Sequence, residues 1–274
     1  MKIGNYECLA VDFGDFVLDG GAMFGVVPKV LWEKGIPADE KNRIPMKNRS
    51  LLIIGMGRKI LVDIGIGDKL SEKYRNIYGI GKVSITESLA KYNLSCEDIT
   101  DVFMTHLHFD HCGGATHLKN NKIIPTFPNA TYYIQKSQWD YAYNPTVRDI
   151  SSYLEENFAP LKEKGVIKYL NGGQEIFQGI EVIVTNGHTE GQQHLLIRGN
   201  KTSLFFCADL IPTSFHMPIT WNMAYDNYPL ILMKEKEDIL TKAEKENWIL
   251  FFEHDPKVAA IKLSSDGTHL PVNF

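Results

Sequence analysis

Three imidazoles and a carboxylate fall within six consecutive residues, His106-Leu107-His108-Phe109-Asp110-His111, a density that an ordinary core does not accept. Each of these groups loses hydration when buried and needs a partner. The preceding run, Ile99-Thr100-Asp101-Val102-Phe103-Met104, reads as a buried strand, so the histidines emerge where that strand ends. His106 and His108 are two apart and point the same way in extended chain, and a turn at Asp110-His111 brings a second imidazole and a carboxylate back towards them. A metal site satisfies all four groups, and the geometry suits two ions better than one. Leu107 and Phe109 alternate with the polar residues, and Gly113-Gly114 allow a tight turn behind the cluster, which separates this segment from a loop that merely contains histidine.

The rest of the composition sets bounds. A chain of 274 residues with 44% hydrophobic and 23% charged content can bury its core as a single domain over 1–274. A net charge of −4 provides no basic footprint, which excludes nucleic acid as the main partner. The first residues, Met1 to Glu7, carry no basic segment followed by an apolar one, and no apolar run reaches membrane-spanning length, so a cytoplasmic chain without a membrane partner is expected. Cys8, Cys96, Cys112 and Cys207 stand singly, which implies reduced thiols rather than a disulfide framework.

Along the chain, residues 6–19 read as a strand. The apolar stretch Ala22 to Trp32 is broken by Gly25 and Pro28, so it reads as a loop covering either the core or a substrate pocket, with Met23, Phe24 and Val26 as candidate wall residues. Residues 37–48, with Pro37 and Pro45, read as a surface connection. Residues 50–54 and 59–63 form a hairpin that ends on Asp63. Ser84 and Glu87 have capping-box spacing and open a helix through Tyr92. Residues 115–120 read as a short helix in which His117 is solvated, and the aromatic stretch 137–164 as helix packing rather than as a lid or dimer surface; a homodimer stays open. Strands at 130–134, 166–170, 180–184 and 194–197 on either side of helical segments predict an α/β sandwich.

Three more strand ends carry metal-ligand types. His188 stands in Asn186-Gly187-His188 after one strand, Asp209 ends Phe205-Phe206-Cys207-Ala208-Asp209, and His254 follows Leu250-Phe251-Phe252-Glu253. In chain order the pattern is HxHxDH, GH, AD and EH, which resembles the metallo-β-lactamase superfamily from about residue 50 to His254. That resemblance implies a four-layer αβ/βα sandwich of the metallo-β-lactamase fold. It also implies that His106, His108 and His188 hold one metal, that Asp110, His111 and His254 hold the other, and that Asp209 bridges them. Asp63 would then orient a ligating histidine. With nitrogen and oxygen donors throughout, the expected cofactors are two divalent ions, zinc first, with manganese or iron as alternatives. Cys112 and Cys207 adjoin ligands without being ligands.

Two metals sharing a bridging hydroxide make a hydrolase in which Asp110 shuttles the proton and no side-chain nucleophile is needed. Within the superfamily the chain most resembles the N-acyl-homoserine-lactone lactonases and the methyl parathion hydrolase-like group, which implies a small-molecule ester or lactone substrate. Pro212 stands where lactonases commonly place a tyrosine. Tyr225 in the next loop reads as a packed tyrosine that could also donate to an oxyanion, and His216 as pocket lining. The alternatives are a phosphotriesterase or a thioester hydrolase of the glyoxalase II type, although no basic region follows His254. A non-catalytic member would be expected to have lost ligands, and all seven are present.

Overall fold

Period-two packing builds the centre of the molecule. Leu204 and Phe206 enter one apolar cluster while Phe205 and Cys207, between and beyond them, enter another, and all four are buried. A strand apolar on both faces belongs inside a layered structure. The computed structural model of the chain describes residues 1–263 and 269–274. One sheet begins with β1 (Lys2–Ile3), β2 (Tyr6–Asp19), β3 (Arg43–Gly55), β4 (Arg58–Val62) and β5 (Asp101–Phe103). A separate hairpin, β6 (Thr116–Lys119) and β7 (Lys122–Pro125), comes before β8 (Thr131–Gln135) and β9 (Ile167–Leu170), which complete the order β1-β2-β3-β4-β5-β8-β9. The second sheet keeps chain order through β10 (Glu175–Phe177), β11 (Ile180–Thr185), β12 (Gln192–Ile197), β13 (Ser203–Phe206), β14 (Trp248–Phe251), β15 (Ala260–Leu263) and β16 (His269–Val272).

Three apolar clusters separate four layers. Leu51, Ile53, Val62 and Phe103 of the first sheet meet Leu195, Leu204, Phe206 and Phe251 of the second. Outside the first sheet, Leu52, Leu61 and Tyr132 pack on Leu89, Trp139 and Leu161 from helical segments. Outside the second, Phe205, Trp248 and Leu250 pack on Leu232, Ile239 and Ala243 of the helix Pro229–Lys245. That helix starts with proline in its first turn and is followed by Asn247 at φ 59, a favoured start and a favoured stop. Burying its Leu232 and Ile239 contributes about 1.5–3 kcal/mol each. The expected αβ/βα sandwich is therefore the observed one.

Strand direction places the site. β4, β5 and β8 run parallel, with Val62 opposite Phe103, and β13 runs parallel to β14, with Phe206 opposite Phe251. Their C-terminal ends release Asp63, Thr105-His106, Asp209 and Glu253-His254 together.

Three local expectations need correction. Residues 43–48 are strand, not surface connection: Pro45 pairs with Val17 of β2, and β4 covers only the later part of β3, from Leu51 onward. Pro45 therefore lies where no ladder bond from its nitrogen is required. The segment 115–120 is the β6 strand, paired with β7, rather than a helix. The 22–32 stretch is two short helices, Gly20–Phe24 and Lys29–Trp32, the first capped by the Asp19 carboxylate accepting from Ala22 N at 2.8 Å. The tight turn expected at Gly113-Gly114 is present as a 3-10 turn over Gly113–Ala115, and the glycines also serve close approach. Gly113 has an ordinary φ of −56°, but a Cβ there would lie 2.0 Å from Ile66 O, and one on Gly114 would lie 2.5 Å from Ile64 O. Ser84 caps its helix as expected, accepting from Glu87 N at 3.2 Å.

Candidate metal centre

Four of the candidate histidines, His106, His111, His188 and His254, are held from behind before they face the centre. Asp63 has φ 53, a conformation that a buried non-glycine residue adopts only when its surroundings impose it. Its carboxylate accepts from Thr105 N at 2.7 Å and Thr105 Oγ1 at 2.6 Å, and lies 2.9 Å from His111 Nδ1. Thr105 Oγ1 in turn contacts His106 Nδ1 at 3.0 Å. The one-turn helix Phe109–Cys112 swings Asp110 and His111 back towards His106. His188 Nδ1 meets Asp226 Oδ1 at 2.9 Å, and His254 Nδ1 meets the Lys47 carbonyl at 2.8 Å. The free edge of β3 holds the last loop as well, through Lys47 N to His254 O and Arg49 N to Glu253 O.

The other ring nitrogens converge. His106 Nε2 and His188 Nε2 approach His108 Nδ1 at 3.0 and 3.2 Å, and His254 Nε2 approaches His111 Nε2 at 3.1 Å. Donor atoms of His106, His108, His188 and Asp209 lie within 4.8 Å of one another, as do those of Asp110, His111 and His254. Asp209 spans the two groups: Oδ2 is 3.2 Å from His188 Nε2 and 3.4 Å from His111 Nε2, while Oδ1 is 3.4 Å from His254 Nε2. Asp209 Oδ1 and His108 Nε2 are buried without a hydrogen-bond partner. Lone pairs aimed at lone pairs and an orphaned carboxylate oxygen are costly unless cations lie among them, so the donor set fits divalent metal.

Protonation follows the same logic. Burial, then neighbouring imidazoles, hold His106 and His108 well below the usual imidazole range, which leaves them neutral as ligands must be. Burial also works against the charged forms of His111 and His188, but the carboxylates beside them prevail and raise both. The Cys112 and Cys207 thiols are buried and pushed up, Cys112 to about 12. Cys112 Sγ donates to Leu107 O at 3.3 Å, and neither thiol belongs to a donor group.

Two supporting carboxylates have no counterpart in the sequence expectations. Asp226 is buried behind His188, its Oδ2 accepting from Met223 N at 2.8 Å; it lies in a loop with no motif to mark it. Glu253 is buried with Oε2 3.0 Å from His111 Nδ1, and its position directly before His254 was the available signal. Asp63 takes the hydrogen bond at His111 Nδ1, on the side away from Asp209, and Glu253 Oε2 lies beside it without a hydrogen-bond partner. Asp226→Ala is expected to weaken metal binding by roughly 10- to 100-fold, as loss of a carboxylate behind a ligating histidine does. A competitive chelator titration on the folded variant measures this.

The donor groups form the floor of a cavity of ≈ 240 Å³ whose walls include Leu18, Met23, Tyr78, Phe109, Met223 and Tyr225. Of the candidate pocket residues, Met23 and Tyr225 line this cavity, while Phe24, Val26 and His216 do not. Phe24 is 0% exposed and lies between the rings of Trp32 and His216, at 5.2 and 4.6 Å. Val26 is 94% exposed on the outer surface. His216 is pinned by Thr213 Oγ1 at 2.7 Å and by the Met23 carbonyl at 2.8 Å, so it holds Met23 in place from behind. Phe24→Ala is accordingly expected to cost about 3–5 kcal/mol of stability and lower the melting temperature, while the ratio of activities on long- and short-tailed substrates stays unchanged.

Among the described residues, no helix is long and apolar enough to cross a membrane. In comparison with known proteins, the chain is 29% identical over 168 residues to an N-acyl homoserine lactonase, AttM, of Rhizobium radiobacter. That match covers 58% of this chain and 59% of the lactonase, so under two thirds of that protein's length is represented. A probable metal-dependent hydrolase from Staphylococcus aureus superposes with a TM-score of 0.93 at 32% identity, over 100% of this chain and 99% of that one. The dizinc quorum-quenching lactonase AidC superposes with a TM-score of 0.81 over 100% and 97% of the two chains, at 22% identity, a likeness of fold alone. Residues 44–254 match the family model of the metallo-beta-lactamase superfamily. With that match over most of its length, the chain belongs to the metallo-β-lactamase superfamily.

Proposed function

We propose that residues 1–274 form one domain, a dinuclear metal-dependent hydrolase of small esters or lactones. The observation that carries this reading is the Asp209 carboxylate, whose two oxygens face both donor groups on the floor of a cavity. His106, His108 and His188 would hold one ion and Asp110, His111 and His254 the other, with Asp209 shared. Divalent ions so held lower the pKa of bound water and polarise an acyl oxygen, and the nitrogen and oxygen donors favour zinc, with manganese and iron as alternatives.

The chain's own groups supply the rest. Asp110 faces the cavity with Oδ2 3.8 Å from His254 Nε2, where it can take the proton of the attacking water and pass it to the leaving oxygen. Tyr225 lines the wall, and burial raises its phenol above the usual range, so it remains a hydrogen-bond donor for an acyl oxygen at neutral pH. The buried cysteines, with raised pKa, offer no thiolate nucleophile. Met23, Leu18 and Met223 provide apolar contact for the body of the substrate.

The test is a panel of lactones, aryl esters, thioesters and phosphotriesters given to zinc- and manganese-loaded protein. The reading predicts the highest kcat/KM on a lactone or ester. A phosphotriester or thioester preferred by tenfold or more would replace it with the corresponding alternative.

A further inference from the structure

Among the described residues, the cavity above the donor groups contains one lysine or arginine side chain, Arg148. Its Nη2 donates to the Ala224 carbonyl and, at 3.3 Å, to the Asp226 carbonyl. Those bonds cross from one wall to the other and fix where the guanidinium sits, at an exposed position where solvent rather than a carboxylate meets the rest of it. The neighbouring Asp149 carboxylate is taken by Tyr141, Thr146 and Asn227, and no carboxylate pairs with Arg148 among the described residues. Arg43 and Arg58 each pair with one carboxylate and Arg198 with two; Arg49 and Arg75, like Arg148, bond only backbone carbonyls, so what sets Arg148 apart is its place in the cavity. An arginine anchored by backbone carbonyls, with its Nε and Nη1 hydrogens still to place and no counter-ion, is prepared for an anionic oxygen.

Its place relative to the donor groups is also defined. Asp226, whose carbonyl Arg148 takes, braces His188 with its side chain. The guanidinium therefore belongs to the His188 side of the cavity. Tyr78 stacks on Phe109, next to Asp110, at 5.1 Å between ring centroids, and both line the same cavity. Ser151 and Ser152 line the cavity from the same connection as Arg148.

We infer that Arg148 is a specificity-determining residue that receives a carboxylate of the substrate, away from the bond being broken, so that the preferred substrates are small esters or lactones carrying a free carboxylate. The inference rests on the hydrolase reading and narrows its substrate class. A neutral substrate with only an apolar tail forgoes this bond.

Calorimetric titration of zinc-loaded protein with succinate, glutarate and adipate, against butyrate, tests the binding without requiring turnover. A monocarboxylate can occupy the metals alone, whereas a dicarboxylate of the right length also reaches Arg148. At least one dicarboxylate should bind wild type about tenfold or more tighter than butyrate, the effect of a hydrogen bond to a charged group. Arg148→Met should remove that advantage while leaving butyrate binding unchanged, and Arg148→Lys, which keeps the charge, should retain part of it. In turnover, the para-nitrophenyl monoester of the best diacid should exceed its methyl-capped counterpart in kcat/KM by a similar factor, lost in Arg148→Met. Equal binding of every dicarboxylate and butyrate to wild type overturns the inference, as does an advantage that survives in Arg148→Met. If no ester is turned over but the Arg148-dependent preference for a dicarboxylate is present, the hydrolase reading fails and the carboxylate site stands.

Discussion

Asp209→Ala is expected to strip the centre of metal and reduce kcat/KM by about 10³-fold or more. The carboxylate is 6% exposed and approaches imidazoles of both donor groups: His188 at 3.2 Å and His111 at 3.4 Å through Oδ2, and His254 at 3.4 Å through Oδ1. Its removal takes one donor from each proposed ion and the carboxylate that faces both donor groups, so occupancy of both should fall together, to less than about one ion per chain. His254→Ala removes a donor from one group alone and should empty mainly that site. Elemental analysis alongside kcat/KM distinguishes the two variants, and circular dichroism checks that both are folded. If Asp209→Ala retains both ions and activity within tenfold of wild type, the bridging assignment fails.

Chelation should lower the melting temperature by roughly 8–16 °C for each ion removed. An ion present at about a thousand times its dissociation constant stabilises by about 4 kcal/mol, and each kcal/mol moves the midpoint of a chain this size by about 2–4 °C. Native packing gives the stripped protein no substitute for the ions, because the convergent ring nitrogens face one another and Asp209 Oδ1 has no hydrogen-bond partner. The gap between loaded and stripped protein should narrow on acidification, since protons compete with metal for the imidazoles and binding falls as pH drops. In the stripped protein the clustered histidines pull in opposite directions. His106 and His108 are depressed in the folded state, so below the ordinary imidazole value of about 6.5 they contribute a loss of stability, whereas His111, His188 and His254 are raised, burial being outweighed by the neighbouring carboxylates, and contribute stability that is present at acid pH and lost as pH rises through their folded values. Differential scanning across pH, with and without chelator, measures both effects.

The residues that gather at the centre were legible in the sequence because each stands at the end of a strand, and strands announce themselves by period and by β-branched and aromatic content. His106, His188, Asp209 and His254 all follow such runs, and parallel pairing of β4 with β5 and of β13 with β14 brings the ends together. The layers were legible for the same reason. What surrounds the donors was less so. Asp226 braces His188 across 38 positions of sequence, a pairing made by a loop whose course depends on Lys236, buried in the long helix and donating to the His216, Pro218 and Trp221 carbonyls. No local pattern encodes that. Phe24 and Val26 are apolar in sequence, yet one is sandwiched in the core and the other points to solvent; hydrophobicity alone does not say which way a broken segment faces. Pro45 marked a loop by its type, but at an edge its missing N–H costs nothing and the strand continues through it. Arg148 was unremarkable until the fold placed it in the cavity without a counter-ion.

The central claim is that the two donor groups hold two ions per chain. Elemental analysis of protein purified without chelator, after exhaustive dialysis against metal-free buffer and then with one, two and three equivalents of zinc added, measures this most directly. Two tightly held ions per chain, with a third removed by dialysis, is the predicted result. Saturation at a single ion in well-folded protein would contradict it.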